Sequence, residues 1–155
     1  MVHAFHVTSE SNVDSIKKNG LQAGTEKEWQ QKRQELRRKV DTYASQHTSQ
    51  WIPRENANYF WTELTDAMDY IHNISEYGSI EGVVIITVEI QDTPIWAAES
   101  EYIEELYHKW MNNENVNVLL GDLETHVERW NGNALHGYEV WTQEDISSDK
   151  IVQID

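Results

Sequence analysis

The chain has 155 residues, 27 acidic against 12 basic side chains for a formal net charge of −15, and no cysteine. A domain of this length buries enough surface to need no metal or disulfide staple, and the missing thiols exclude disulfide frameworks, thiolate chemistry and cysteine-based zinc or iron–sulfur sites. No signal peptide is evident in Met1–Gly24, the longest apolar run (Val83–Val88) is too short to span a bilayer, and a pI near 4.7 argues against a generic nucleic-acid or anionic-membrane binder. One soluble, cytoplasmic domain over residues 1–155 is expected, without membrane association.

Ala4–Thr8 reads as a short strand. Ser11 with Asp14 three residues on resembles a helix start, Lys17 and Lys18 suit the C-terminal dipole, and Gly20 is the natural stop. Glu26 to about His47 lacks Gly and Pro and is rich in Glu, Gln, Lys and Arg, which predicts a long helix across the surface. Its apolar residues Trp29, Leu36, Val40 and Tyr43 share one face. The charge is uneven along the chain. Residues 1–39 hold eight basic and five acidic side chains, whereas residues 40–155 hold four basic and 22 acidic ones. A solvated helix face accounts for the basic segment, and a surface turned towards an anionic ligand is the sharper alternative.

Asn58–Thr62 predicts an aromatic strand, and Thr65 caps a helix through about Ile74, followed by a turn at Gly78. Gly82–Ile90, β-branched and continuously apolar at its centre, is the strongest central-strand candidate. Glu99–Met111 predicts a helix, while Asn112–Gly132 carries no clear pattern. Tyr138–Thr142 and Lys150–Ile154 predict closing strands around a turn at Ser147–Ser148. The sum is an α+β domain with helices inserted among five or six strands.

Three separated segments carry a pattern of chemistry. Phe5-His6-Val7-Thr8 precedes a short helix and Asn19-Gly20-Leu21. Asn58-Tyr59-Phe60-Trp61 precedes a helix bearing Ala67 and Tyr70, with Tyr59 and Tyr70 eleven residues apart. Tyr138-Glu139-Val140-Trp141 precedes Asp145-Ile146 and an Ile/Val-rich ending. Each segment has a plain structural reading as strand or helix packing. Glu139 is the least comfortable, because a carboxylate inside an apolar, aromatic run needs a partner or an exposed face.

In order and spacing this set resembles the poly(ADP-ribose) polymerase-like, or His-Tyr-Glu, branch of the ADP-ribosyltransferase superfamily. The resemblance implies an α+β fold with a split mixed or antiparallel β-sheet core and inserted helices. It implies an NAD-consuming mono-ADP-ribosyltransferase or NAD glycohydrolase, with NAD as substrate, no metal, and an unknown protein or nucleic-acid acceptor. It gives His6 a ribose hydroxyl to bind with support from Thr8, places Tyr59 along the nicotinamide pocket, and stacks Tyr70 on the nicotinamide ring. Glu139 would bind the 2′-hydroxyl of the nicotinamide ribose, so that the catalytic set is Glu139, His6 and Tyr59. Lys32, Arg33 and Arg37 would meet the pyrophosphate or a nucleic-acid acceptor. Gly137 stands two residues before Glu139, where arginine-modifying relatives carry Glu or Gln, so arginine-directed transfer is not expected.

Other constellations are weaker. Glu105 and His108 have the spacing of di-metal bundles, but no second such pair exists, and His3 and His6 point to opposite faces of a strand. Phosphate-loop, dinucleotide-fold and hydrolase-elbow motifs are absent. The alternative function is a non-catalytic acidic interaction protein, or a nucleotide-binding module on the same fold.

Overall fold

The computed structural model describes residues 2–23, 31–73, 82–90 and 95–155. Among these residues seven strands form one sheet: β1 (Val2–Ser9), β2 (Asn58–Trp61), β3 (Val83–Ile90), β4 (Trp96–Glu99), β5 (Val127–Arg129), β6 (Tyr138–Thr142) and β7 (Ile151–Ile154). Among the described residues five helices accompany them: α1 (Val13–Asn19), α2 (Gln31–His47), α3 (Leu64–Asn73), α4 (Ser100–Met111) and α5 (Asn117–Leu120). The strand order is β5-β4-β6-β2-β1-β3-β7 and every paired neighbour is antiparallel.

The sheet consists of two blocks. In one, β1 pairs with β3 along its whole length, from Val2 opposite Ile90 to Ser9 opposite Val83, and β7 lines the far side of β3. In the other, β2, β6, β4 and β5 run side by side. The blocks meet where β1 and β2 share a single registered pair, Phe5 opposite Trp61.

Alternation along the strands sends side chains to two faces. On one face Ala4, Phe60, Ile86, Val88, Ala97 and Val140 pack with Ile16 of α1. The other face holds Trp96, Ala98 and Trp141 under Leu36 and Val40 of α2 and Ile103 and Leu106 of α4. Trp61 and Ile85 lie on that same side and pack against Ala67 of α3, together with Phe5, Val7 and Tyr70.

Several expectations are refined. The cap at the first turn is Ser9, whose side chain accepts from the Ser11 amide; Ser11 itself sits inside a 3-10 turn, Glu10–Asn12, that leads into α1. Gly20 ends α1 with φ +74° as expected. The basic helix begins at Gln31 among the described residues, and its residues Gln34, Leu36, Val40 and Ala44 are buried, so it is a core helix on one side. The expected positions 26–30, the Gly78 turn and Ile74 lie outside the described residues. Strand β3 is interior but not central, because β2 occupies the middle of the order. Two short strands, β4 and β5, lift the count to seven. The closing strands β6 and β7 belong to different blocks, not to one hairpin. No described helix is long and apolar enough to cross a membrane.

Candidate active site

The Glu139 carboxylate finds its partner in a residue that no sequence motif marks. Arg54 is only 2 % exposed, and its Nη2 donates to Glu139 Oε1 in an ion pair. A loop held from two sides, by α2 and by the sheet, delivers Arg54 there. Asp41 of α2 accepts from Trp51 Nε1 at 3.0 Å and from the Arg54 and Glu55 amides at 2.8 and 3.0 Å. Gln34 of the same helix accepts from the Asn56 amide at 3.2 Å, which secures a residue held at φ +58°. From the sheet, the Trp96 and Trp141 indoles donate to the Gln50 and Ile52 carbonyls at 3.1 and 2.8 Å. The buried polar face of α2 is thus a template for this loop, and the loop fixes the guanidinium.

The guanidinium stands over aromatic rings, 4.3 Å from the Trp141 centroid and 5.1 Å from that of Tyr59. Arg37 lies 4.5 Å from the same Tyr59 ring, and its Nε donates to Tyr107 Oη at 3.1 Å. Such contacts suit a weakly hydrated, planar cation that has left water. Burial works against the charge of Arg54, but Glu139 and the neighbouring phenols outweigh it and hold the guanidinium above its ordinary range. Burial raises Tyr59, whereas in Tyr107 the two guanidiniums overcome burial and lower it. A small hollow between α2 and α4, walled by Leu36, Val40, Ile103 and Leu106, borders Arg37, Arg54 and Tyr107 and has room for about one water molecule.

One oxygen of Glu139 is therefore pinned. The other has no hydrogen-bond partner among the described residues, and the side chain keeps 14 % exposure. The approach of β6 to Glu139 is fixed by a clasp: His136 Nδ1 lies 3.1 Å from both Glu63 and Asp66, and the second Asp66 oxygen accepts from the Gly137 amide at 2.8 Å. Bonding to Glu63 and then the charge of Asp66 raise the His136 pKa. The ligand atoms of these three residues lie within 4.8 Å of one another, which makes them the set among the described residues that could hold a metal ion.

The predicted site residues divide into groups. Tyr59 and Glu139 share a sheet face with Trp61, whose registered partner on β6 is Glu139. Tyr70 reaches the same face by packing its ring 5.2 Å from that of Trp61. His6 does not join them. By alternation it and Thr8 project with Phe60 to the opposite face, and the His6 ring sits 5.6 Å from the Phe60 ring. Its Nδ1 bonds the Tyr59 carbonyl at 2.7 Å, so that nitrogen carries the proton and the side chain itself ties β1 to β2. Desolvation lowers the His6 pKa and keeps the ring neutral. Thr8 accepts from Asn12 Nδ2 at 3.0 Å, which braces the entry to α1.

Tyr59 offers no open ring to a ligand, because two arginines lie against it and its hydroxyl donates to the Arg54 carbonyl. The three basic residues proposed to meet a pyrophosphate are engaged with protein. Lys32 donates to Met111 O at 3.3 Å and Asn113 Oδ1 at 3.1 Å, closing the end of α4; Arg33 lies 5.2 Å over the Tyr107 ring; Arg37 is committed as described above. Glu105 and His108 sit exposed on α4, where His108 meets Asn112.

Sequence comparison with protein-family models and with curated proteins finds no match.

Proposed function

We propose that the chain cleaves the nicotinamide–ribose bond of NAD and passes ADP-ribose to water or to a macromolecular acceptor, with Glu139 as the catalytic carboxylate. The observation that carries this is the asymmetry of Glu139: Oε1 is held by Arg54, while Oε2 has no protein partner among the described residues. A carboxylate fixed by one oxygen presents the other in a defined direction, as a group binding a ribose hydroxyl must.

When the glycosidic C–N bond breaks, its electron pair leaves with nicotinamide, which departs neutral, and positive charge develops on the ribose as in glycoside cleavage. A preorganised carboxylate beside the 2′-hydroxyl favours that charge more than it favours the ground state. The acceptor oxygen or nitrogen then bonds to the anomeric carbon and releases its proton to solvent. Tyr70, with Trp61 behind it, supplies the aromatic surface for the departing ring. Tyr59 holds Arg54 in place, and His6 fixes the strand joint next to the site. This assignment gives both residues positioning roles in place of direct ligand contact.

The test is nicotinamide release from labelled NAD, by wild type and by Glu139→Gln. Release that is lost in the variant, with the fold retained at the assay temperature by far-ultraviolet circular dichroism, supports the assignment; equal release by the variant overturns it. Stabilisation by NAD without release points instead to a nucleotide-binding module. Neither effect points to the acidic interaction protein, for which the 22 acids against four bases in residues 40–155 are the motive.

A further inference from the structure

The charges around the hollow do not balance. Two guanidiniums, Arg37 and Arg54, border it, and among the described residues Glu139 is the only carboxylate that hydrogen-bonds to either of them. Asp41, the nearest other acid on α2, spends its oxygens on Trp51 and on two backbone amides. Arg54 has a second terminal nitrogen, Nη1, which is buried and has no hydrogen-bond partner among the described residues. An unpaired donor on a buried cation is costly, and native structures rarely leave one so.

We propose that the hollow is a binding site for one small monovalent anion of chloride size. Three donor-bearing side chains line it. Arg54 offers the buried Nη1, and Arg37, which among the described residues hydrogen-bonds through Nε, offers its terminal nitrogens. Tyr107 accepts from Arg37 Nε, which leaves its own O–H free to donate. The remaining wall is aliphatic, and the space admits about one water-sized body. That combination selects a weakly hydrated monatomic anion. A phosphate or sulfate is too large for the space, and a neutral water leaves the second guanidinium uncompensated. The bound anion also completes the shell of Arg54, and so steadies the residue that holds Glu139, whatever reaction Glu139 serves.

The experiment uses the whole chain in sodium gluconate, with chloride or bromide substituted at constant ionic strength. Melting temperature rises by about 2–4 °C once the halide stands roughly fivefold above its dissociation constant, and from there with the logarithm of its concentration. A rise with bromide separates a site from general salt effects, which favour sulfate and not bromide. Arg37→Gln abolishes this logarithmic rise, whereas Lys150→Gln removes the same unit of charge from the exposed surface and retains it. A bromide-soaked crystal of the wild type gives an anomalous peak between Arg54 and Tyr107, a readout independent of whether the Arg37 variant folds. A response proportional to halide concentration or absent, equal loss in the Lys150 variant, or a hollow free of bromide overturns the proposal. Each of these leaves nicotinamide release untouched as a separate question.

Discussion

Replacing Arg54 by methionine removes one half of a buried pair and leaves the other half in place. The guanidinium is 2 % exposed and Glu139 14 %, so water screens little of the lost attraction. Breaking such a pair from one side costs about 3–5 kcal/mol, because the stranded carboxylate loses its counter-charge while it remains desolvated. Loss of the contacts to Tyr59 and Trp141 adds to this, at about 0.5–2 kcal/mol each. For a domain of this size the pair alone corresponds to a fall of roughly 6–20 °C in melting temperature. Urea unfolding followed by far-ultraviolet circular dichroism measures it, with Glu139→Leu and the double variant Arg54→Met/Glu139→Leu completing a cycle. The double variant loses less than the sum of the two singles, by about 2–3 kcal/mol, because it leaves no unpaired charge behind. If Arg54→Met costs under about 1 kcal/mol, or the two single losses simply add, the pair is not what fixes Glu139 and the account of the site fails.

Two further outcomes rest on other parts of the fold. Gly20 has φ +74°, and a Cβ there would stand 2.0 Å from the Ile146 carbonyl oxygen, so Gly20→Ala parts the Leu21–Ile146 bridge and costs upwards of about 2 kcal/mol; a melting temperature within a degree or so of wild type contradicts the packing described. His6 is held below its ordinary value of 6.5 by burial, so the unfolded chain binds that proton more readily than the folded one. The stability due to its neutral ring is present above pH 6.5 and falls away as the pH drops from there towards the lowered folded value. His6→Asn makes the acid limb of the pH–stability curve shallower, and parallel curves for the two proteins rule this out.

Local pattern carried much of the architecture. The β-branched run at 83–90, the helix ended by Gly20 and the amphipathic segment 100–111 each state their structure within a few residues. Short strands such as Trp96–Glu99 and Val127–Arg129 do not, because three or four residues hold too little periodicity; β4 takes its state from β6 beside it, and β5 takes its state from β4. Glu139 stood out as a carboxylate in an apolar run, but its partner did not, since pairing across 85 residues leaves no spacing to read. One signal was available: of the four basic residues beyond position 39, Arg54 alone follows a Trp-Ile-Pro run, a context that asks for burial. The separation of His6 from Glu139 is hidden in sequence for a different reason. Strand alternation is visible in sequence, but which face of β1 matches which face of β6 depends on the register through β2.

The division of the sheet also sets an order in time. The block of β2, β6, β4 and β5 draws on residues 58–142 alone, whereas the block of β1, β3 and β7 needs residues 2–9 together with 151–154. During vectorial synthesis the first block has all its strands about a dozen residues before the second. Strand β1, made first, waits for β3 to cover its edge and for β7 to cover β3 in turn. Because β3 is complete by residue 90, the open edge over the last dozen or so residues is that of β3, a β-branched strand exposed to pairing with a second nascent chain until β7 covers it.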